Sequence, residues 1–175
     1  MVKLSYSELK KGTQIILNSE PYEILETLSM FKGRGHSVLQ AKLKNLATGN
    51  IIQKTFHPSD SFEEADVSRF KANFIYSHRE KFVFSEKDNP KKRFELTKEQ
   101  IGESAKFLKQ GLEVEGMIFN NKIINISLPI KVQLKVIQAP PGLKGDRAQA
   151  GNKIVVLETN AELSVPLFIE EGDII

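Results

Sequence analysis

Apolar and polar residues alternate along most of the chain, and the apolar runs are short. Thr13-Gln14-Ile15-Ile16-Leu17 and Pro21-Tyr22-Glu23-Ile24-Leu25 flank Asn18-Ser19-Glu20, which predicts a hairpin, because turn-forming residues between two strand-like runs fold one run back on the other. Ser37 to Lys44 alternates toward a turn at Ala47-Thr48-Gly49-Asn50. Phe74-Ile75-Tyr76 and Phe82-Val83-Phe84 are joined by the polar Ser77 to Lys81, and the two-residue period of a strand puts the aromatic rings on one face of each. Further strands are predicted around Val114–Phe119, Lys122–Ser127, Lys131–Gln138, Val155–Thr159 and Val165–Ile169. One helix stands apart: Thr97-Lys98-Glu99-Gln100 has capping-box spacing, and Ile101, Ala105 and Leu108 recur on one side before an expected end near Gln110-Gly111.

Many short strands, frequent turns and a single helix predict an all-β chain built of several small barrels, not a parallel α/β sheet. Proline and polar turn residues at Pro58-Ser59-Asp60-Ser61 and Ser127-Leu128-Pro129 divide it into pieces 1–63, 64–128 and 129–175. Barrels of that size fold only marginally alone, so neighbours are expected to pack.

With 40% apolar and 27% charged residues the chain is globular, not disordered. The absence of cysteine excludes disulfides, zinc-thiolate sites, iron–sulfur clusters and thiol nucleophiles. The first residues read as neither a secretory signal nor a membrane span, so a cytoplasmic protein without membrane contact is expected. His36, His57 and His78 are scattered without metal-ligand spacing, and no nucleophile elbow, phosphate loop or dinucleotide fingerprint occurs. Glu63-Glu64 and Glu170-Glu171 fall at expected turns or strand ends. No catalytic residue, metal or cofactor is therefore expected.

Charge distribution adds the first functional signal. The net charge of +3 is modest, but no Asp or Glu occurs between Thr27 and Ser59, a window holding Lys32, Arg34, Lys42, Lys44 and Lys54. Such a stretch suits nucleic acid, although a solvated surface is the plainer alternative. Within it, Lys32-Gly33-Arg34-Gly35-His36 forms a polar tip between strand-like segments. Glycine on both sides frees the backbone to turn and leaves Arg34 as a projected cation, whose planar fork suits phosphate oxygens and stacks on bases. An ordinary hairpin turn with an incidental arginine is the competing reading.

The chain resembles the bacterial elongation factor P family over nearly its whole length. The resemblance rests on Lys10-Lys11-Gly12, the Gly33-Arg34-Gly35 tip followed by Lys42-Leu43-Lys44-Asn45-Leu46-Ala47-Thr48-Gly49, and Lys54-Thr55-Phe56. Distal anchors are Pro141-Gly142-Leu143-Lys144-Gly145-Asp146, Lys153, Val165-Pro166-Leu167-Phe168-Ile169 and Gly172. It implies an L-shaped, tRNA-like protein with an N-terminal SH3-like (KOW-like) barrel and two OB-fold barrels; relatives continue past Ile175 into a final strand, and a last barrel truncated before that strand would have an open edge. It further implies a monomeric factor that binds the 70S ribosome between the peptidyl and exit sites, touching ribosomal RNA and peptidyl-tRNA, and relieves stalls at consecutive prolines.

In that family the position of Arg34 carries a modified lysine or arginine, so a modifying enzyme and a glycosylated form such as rhamnosyl-Arg34 are implied. Lys32 stands where lysine types often have proline, and Gly35-His36 differ from the rhamnosylated group. The loop holding Gly145, Asp146 and Arg147 corresponds to one that approaches the exit-site codon of the mRNA, Arg147 replacing a usual threonine and Asn160 a common glycine. Lys42, Lys44 and Lys54 are the expected RNA-facing cations. Two alternatives remain: a general OB-fold binder of single-stranded RNA using Phe82-Val83-Phe84, whose alternation favours a core role, and a divergent paralogue with altered motif preference.

Overall fold

Asn18 and Ser19 both adopt left-handed backbone conformations, with φ of 51° and 66°. That two-residue geometry twists in the same sense as the flanking strands, which is why it joins β2 (Gln14–Leu17) to β3 (Glu20–Lys32) in register, Leu17 opposite Glu20. The computed structural model describes residues 3–32, 36–141 and 151–175. With β1 (Lys3–Ser5), β4 (His36–Asn45), β5 (Ile51–Phe56) and β6 (Ser61–Glu64), these strands form a six-stranded sheet of order β1-β6-β2-β3-β4-β5. Ile15, Ile24 and Leu43 are fully buried on its inner face. Phe56 and Phe62 meet edge to face at 4.6 Å, bringing the end of β5 against β6 and curling the sheet into a barrel.

The second sheet has the order β11-β10-β7-β8-β9, from β7 (Val67–His78), β8 (Lys81–Glu86), β9 (Arg93–Thr97), β10 (Glu113–Phe119) and β11 (Lys122–Ser127). Arg79-Glu80 and Asn120-Asn121 repeat the two-residue left-handed turn. Phe74, Phe84, Leu96, Val114 and Ile126 form its core. Phe84 is completely buried and Phe82 packs against the same core, so these aromatics serve packing as their alternation predicted.

Two expectations are corrected here. Tyr76 does not share the face of Phe74: the register runs from Phe74↔Phe84 to Tyr76↔Val83, so Ile75 is an extra residue, and Tyr76 is turned outward with 49% of its surface exposed. The predicted helix is a single turn, α1 (Lys98–Ile101), followed by a 3-10 segment over Gly102–Phe107. Its capping box forms as expected, Thr97 Oγ1 accepting from the Gln100 N–H, but Gly102 at φ 66° interrupts the helical path. Ile101 and Leu108 still reach the core.

The third sheet comprises β12 (Val136–Gln138), β13 (Asn152–Leu157) and β14 (Glu162–Pro166) in that order, around Val136, Val155, Leu157 and Val165. The strand expected from Lys131 is regular only from Val136, and the last predicted strand lies earlier, ending at Pro166. Asn160 stands at φ 61°, the left-handed conformation that asparagine accepts more readily than most residues. Leu134 and Ile175 exchange backbone hydrogen bonds of 2.9 and 3.0 Å, so the last residues pair with the segment entering β12.

Candidate nucleic-acid interface

The longest pairing in the chain is β3 with β4, running from Tyr22↔Asn45 to Lys32↔His36. β2 covers β3 only over Glu20–Glu23, and β5 covers β4 only over Leu39–Lys44. The far end of the hairpin is therefore a two-stranded ribbon, reaching about 10 Å past the barrel at roughly 3.3 Å per residue from Leu39 to His36. Part of its surface is apolar and open to solvent, Phe31 being 87% exposed and Leu28 58%, whereas Val38 is buried. Lys32 and His36 face each other in the backbone register at its last pair. Gly33, Arg34 and Gly35 lie outside the described residues, as do Gly145, Asp146 and Arg147.

The three candidate lysines do not form one cluster. Lys42 and Lys54 line the same open groove, with Glu26, Leu28, Gln40 and Gln53, while Lys44 lines a different cleft facing the second sheet, with Glu23, Arg69 and Asn125. The acid-free window of the sequence is also not acid-free in space, since Glu26 lies across the strand from Lys42 and Glu23 from Lys44. Nevertheless, among the described residues none of the three lysines comes within ion-pair distance of a carboxylate. The second sheet contrasts sharply. Arg69 pairs with Glu115, Lys71 and Lys87 with Glu113, and Lys81 with Glu95. There the two lysines hold the Glu113 carboxyl below its usual range, chiefly through the Lys87 hydrogen bond. Exposed amines without a partner carboxylate are the groups that displace counterions from a phosphate backbone, and the groove of Lys42 and Lys54, which Glu26 also lines, offers two of them where the cations named on the second sheet are paired.

The segment 142–150 is flanked by a defined support: Lys153 Nζ donates to the Pro140 carbonyl at 3.0 Å, tying the start of β13 to the entering strand. Behind it, Lys109 Nζ donates to the Gln133 carbonyl at 2.8 Å and lies 3.5 Å from Glu158 Oε1, linking the second unit to the third. Glu158 also accepts the Lys135 N–H at 2.9 Å, and that bond, ahead of the Lys109 charge, holds its carboxyl below the ordinary value.

Two buried asparagines were missed in the sequence, although a polar residue inside an apolar run, as in Ile123-Ile124-Asn125-Ile126, signals an internal hydrogen-bonding role. Asn45, 4% exposed, donates to Glu20 Oε2 at 2.7 Å and accepts from the N–H groups of Ala47 and Thr48, organising the turn after β4. Asn125, 5% exposed, donates both to the Ala47 carbonyl at 3.0 Å and to the Gln100 carbonyl at 2.6 Å. Among the described residues no group of His, Asp or Glu side chains is placed to hold a metal ion, and no helix is long and apolar enough to cross a membrane.

The fold of these strand-rich units is similar to that of eukaryotic translation initiation factor 5A from Methanococcus jannaschii, at a TM-score of 0.52 and 18% identity, over 74% of this chain and 97% of that one. Residues 5–62 match the elongation factor P KOW-like domain, 67–126 the elongation factor P OB domain and 132–175 the elongation factor P C-terminal region. Elongation factor P of Prochlorococcus marinus (strain MIT 9215) is 36% identical over 172 residues, covering 98% of this chain and 92% of that protein. That of Syntrophus aciditrophicus (strain SB) is 40% identical over 169 residues, covering 97% and 90%. The chain belongs to the elongation factor P family.

Proposed function

We propose that this factor acts in the cytoplasm on the 70S ribosome between the peptidyl and exit sites, and speeds peptide-bond formation at consecutive prolines by holding peptidyl-tRNA in place. Proline's fixed φ and secondary amine constrain the reacting geometry, and restraining the tRNA end lowers the entropic part of the barrier. The factor contributes positioning and no proton, nucleophile or cofactor of its own.

The observation that carries this reading is the β3–β4 ribbon, which projects beyond its barrel and leads directly into Gly33-Arg34-Gly35. In this role Arg34 braces the acceptor end of the tRNA, and Lys42 and Lys54 at the ribbon's base contact phosphates of tRNA or ribosomal RNA. Lys44 in the neighbouring cleft takes a lesser share. Gly145, Asp146 and Arg147 approach the exit-site mRNA codon. Arg34 is also the proposed acceptor of a modifying enzyme's sugar, rhamnose being the family precedent.

In vitro translation of a triple-proline reporter tests the function. Addition of the factor purified from its native host is expected to raise full-length product, and Arg34→Ala to abolish the gain with the strand signal in circular dichroism intact. An inert wild-type factor refutes the reading. Intact-mass measurement on the native protein decides the modification, an unmodified mass removing it.

A further inference from the structure

The joint between the first two units is held at two places. One is covalent: β6 ends at Glu64 and β7 begins at Val67, leaving only Ala65 and Asp66 between them, with the Ala65 N–H bonded to the Gln14 carbonyl at 3.0 Å. The other is Asn125. Its amide nitrogen bonds to the Ala47 carbonyl of the first unit and the Gln100 carbonyl of the second, the only side-chain hydrogen bond between the two units among the described residues.

Each end of that pin is itself fixed. On one side, Asn45 holds the turn that presents the Ala47 carbonyl, and Glu20 holds Asn45 from the start of β3. On the other, the Thr97–Gln100 capping box fixes α1, and Gln100 Nε2 reaches the Ile124 carbonyl. A hydrogen-bonded path therefore runs from the base of the β3–β4 hairpin into the middle of β11.

We infer that Asn125 is a positioning residue: it sets the angle of the β3–β4 ribbon against the second unit and so aims the tip. This rests on the proposed tip function. Ala47 sits beside the base of β4, and from Asn45 to His36 the strand spans about 30 Å at roughly 3.3 Å per residue. Over such an arm a rotation of about 2° moves the far end by about 1 Å, a misplacement that costs on the order of 10²-fold in rate when catalysis is by orientation. With the pin removed, the two-residue connection with its Ala65–Gln14 bond is a single pivot, and among the described residues no side-chain hydrogen bond between the two units restrains rotation about it.

Asn125→Asp keeps the shape but turns acceptor oxygens toward two carbonyls, and Asn125→Ala removes the contact without repulsion. Spin labels at the exposed Ser29 and Lys91 report the angle by pulsed electron resonance. Wild type gives one narrow distance distribution, and both variants are expected to broaden it by about 3.5 Å, the travel of a swing of about 10° at Ser29, which pairs with Leu39 about 20 Å along the arm from Asn45. In triple-proline translation the rate at saturating factor falls about tenfold or more, whereas the half-saturating concentration moves less than about threefold, because ribosome contacts survive but orientation does not.

An unchanged distance distribution in either folded variant overturns the inference, as does loss of the native strand signal in both, which makes Asn125 a fold residue only. If wild type is inert in translation, the tip function fails, while the distance measurement still decides whether Asn125 fixes the joint.

Discussion

Asn45 gives the sharpest test of how the ribbon's base is built. Its side chain makes three bonds in a site only 4% exposed: to Glu20 Oε2 at 2.7 Å and from the N–H groups of Ala47 and Thr48 at 2.8 and 3.0 Å. Asn45→Ala removes all three and leaves two turn N–H groups without their acceptor. At about 1 kcal/mol net for each bond the loss is about 3 kcal/mol. For a unit of this size each kcal/mol shifts Tm by roughly 4–8 °C, so the first unit should melt roughly 12–24 °C earlier. Asn45→Asp is the discriminating partner. It retains the acceptor for the turn but places a second carboxylate against that of Glu20, and like charges at that range resist joint ionisation. Uptake of one proton by the pair relieves the repulsion, so the deficit of Asn45→Asp against wild type is present at neutral pH and shrinks in acid. Asn45→Ala shows no such recovery. Calorimetry at pH 7 and pH 4 reads both. A shift below about 3 °C for Asn45→Ala, or an Asn45→Asp deficit independent of pH, refutes the assigned network.

Other outcomes follow from the same structure. Gly116→Val should destabilise the second unit by about 2 kcal/mol or more in urea denaturation, because even a Cβ would run into the Phe70 ring; replacing Gly12, whose surroundings are open, imposes only backbone strain. The paired change Lys42→Glu and Lys54→Glu should weaken ribosome co-sedimentation and flatten its salt dependence, whereas Lys71→Glu, in an ion-paired face, should change both less. Lys109→Met should raise amide exchange in the third unit by freeing the Gln133 carbonyl and Glu158. Glu158 has its folded carboxyl below the ordinary value of 4.5, so its contribution is present above that pH and lost as pH falls through the lower folded value. The difference between wild type and Glu158→Gln in thermal melts should accordingly vanish in acid.

The hairpins were the most legible part of the sequence, since Asn18-Ser19 sits between runs whose period is two and both residue types accept the left-handed conformation. The failures occurred where one residue breaks a period. Ile75 is an extra residue in β7 and reverses the face of Tyr76, an insertion with no signature in local composition. Gly102 cuts a helix whose cap and apolar spacing were both favourable: Ile101, Ala105 and Leu108 keep their inward direction, yet a 3-10 path replaces the helical one. Apolar spacing identified what is buried there without identifying the backbone that buries it.

The candidate site was harder to read because charge in a sequence is one-dimensional. Thirty-odd residues without an acid suggested an unscreened basic surface, but antiparallel pairing returns Glu23 and Glu26 from the preceding strand to positions opposite Lys44 and Lys42. The acids lie just before the window because a hairpin's two arms run outward and back from one tip, so the residues that screen a strand are as far from the turn on the other side. An acid-free stretch centred on a hairpin therefore predicts an unscreened surface only as far along each arm as the window extends on both. For this ribbon that limit is Thr27 on one arm and its partner Ala41 on the other. Beyond it, toward the tip, the remaining cations of the sequence are Lys32 and Arg34, which is why the proposed role draws on the end of the hairpin as well as on the groove of Lys42 and Lys54.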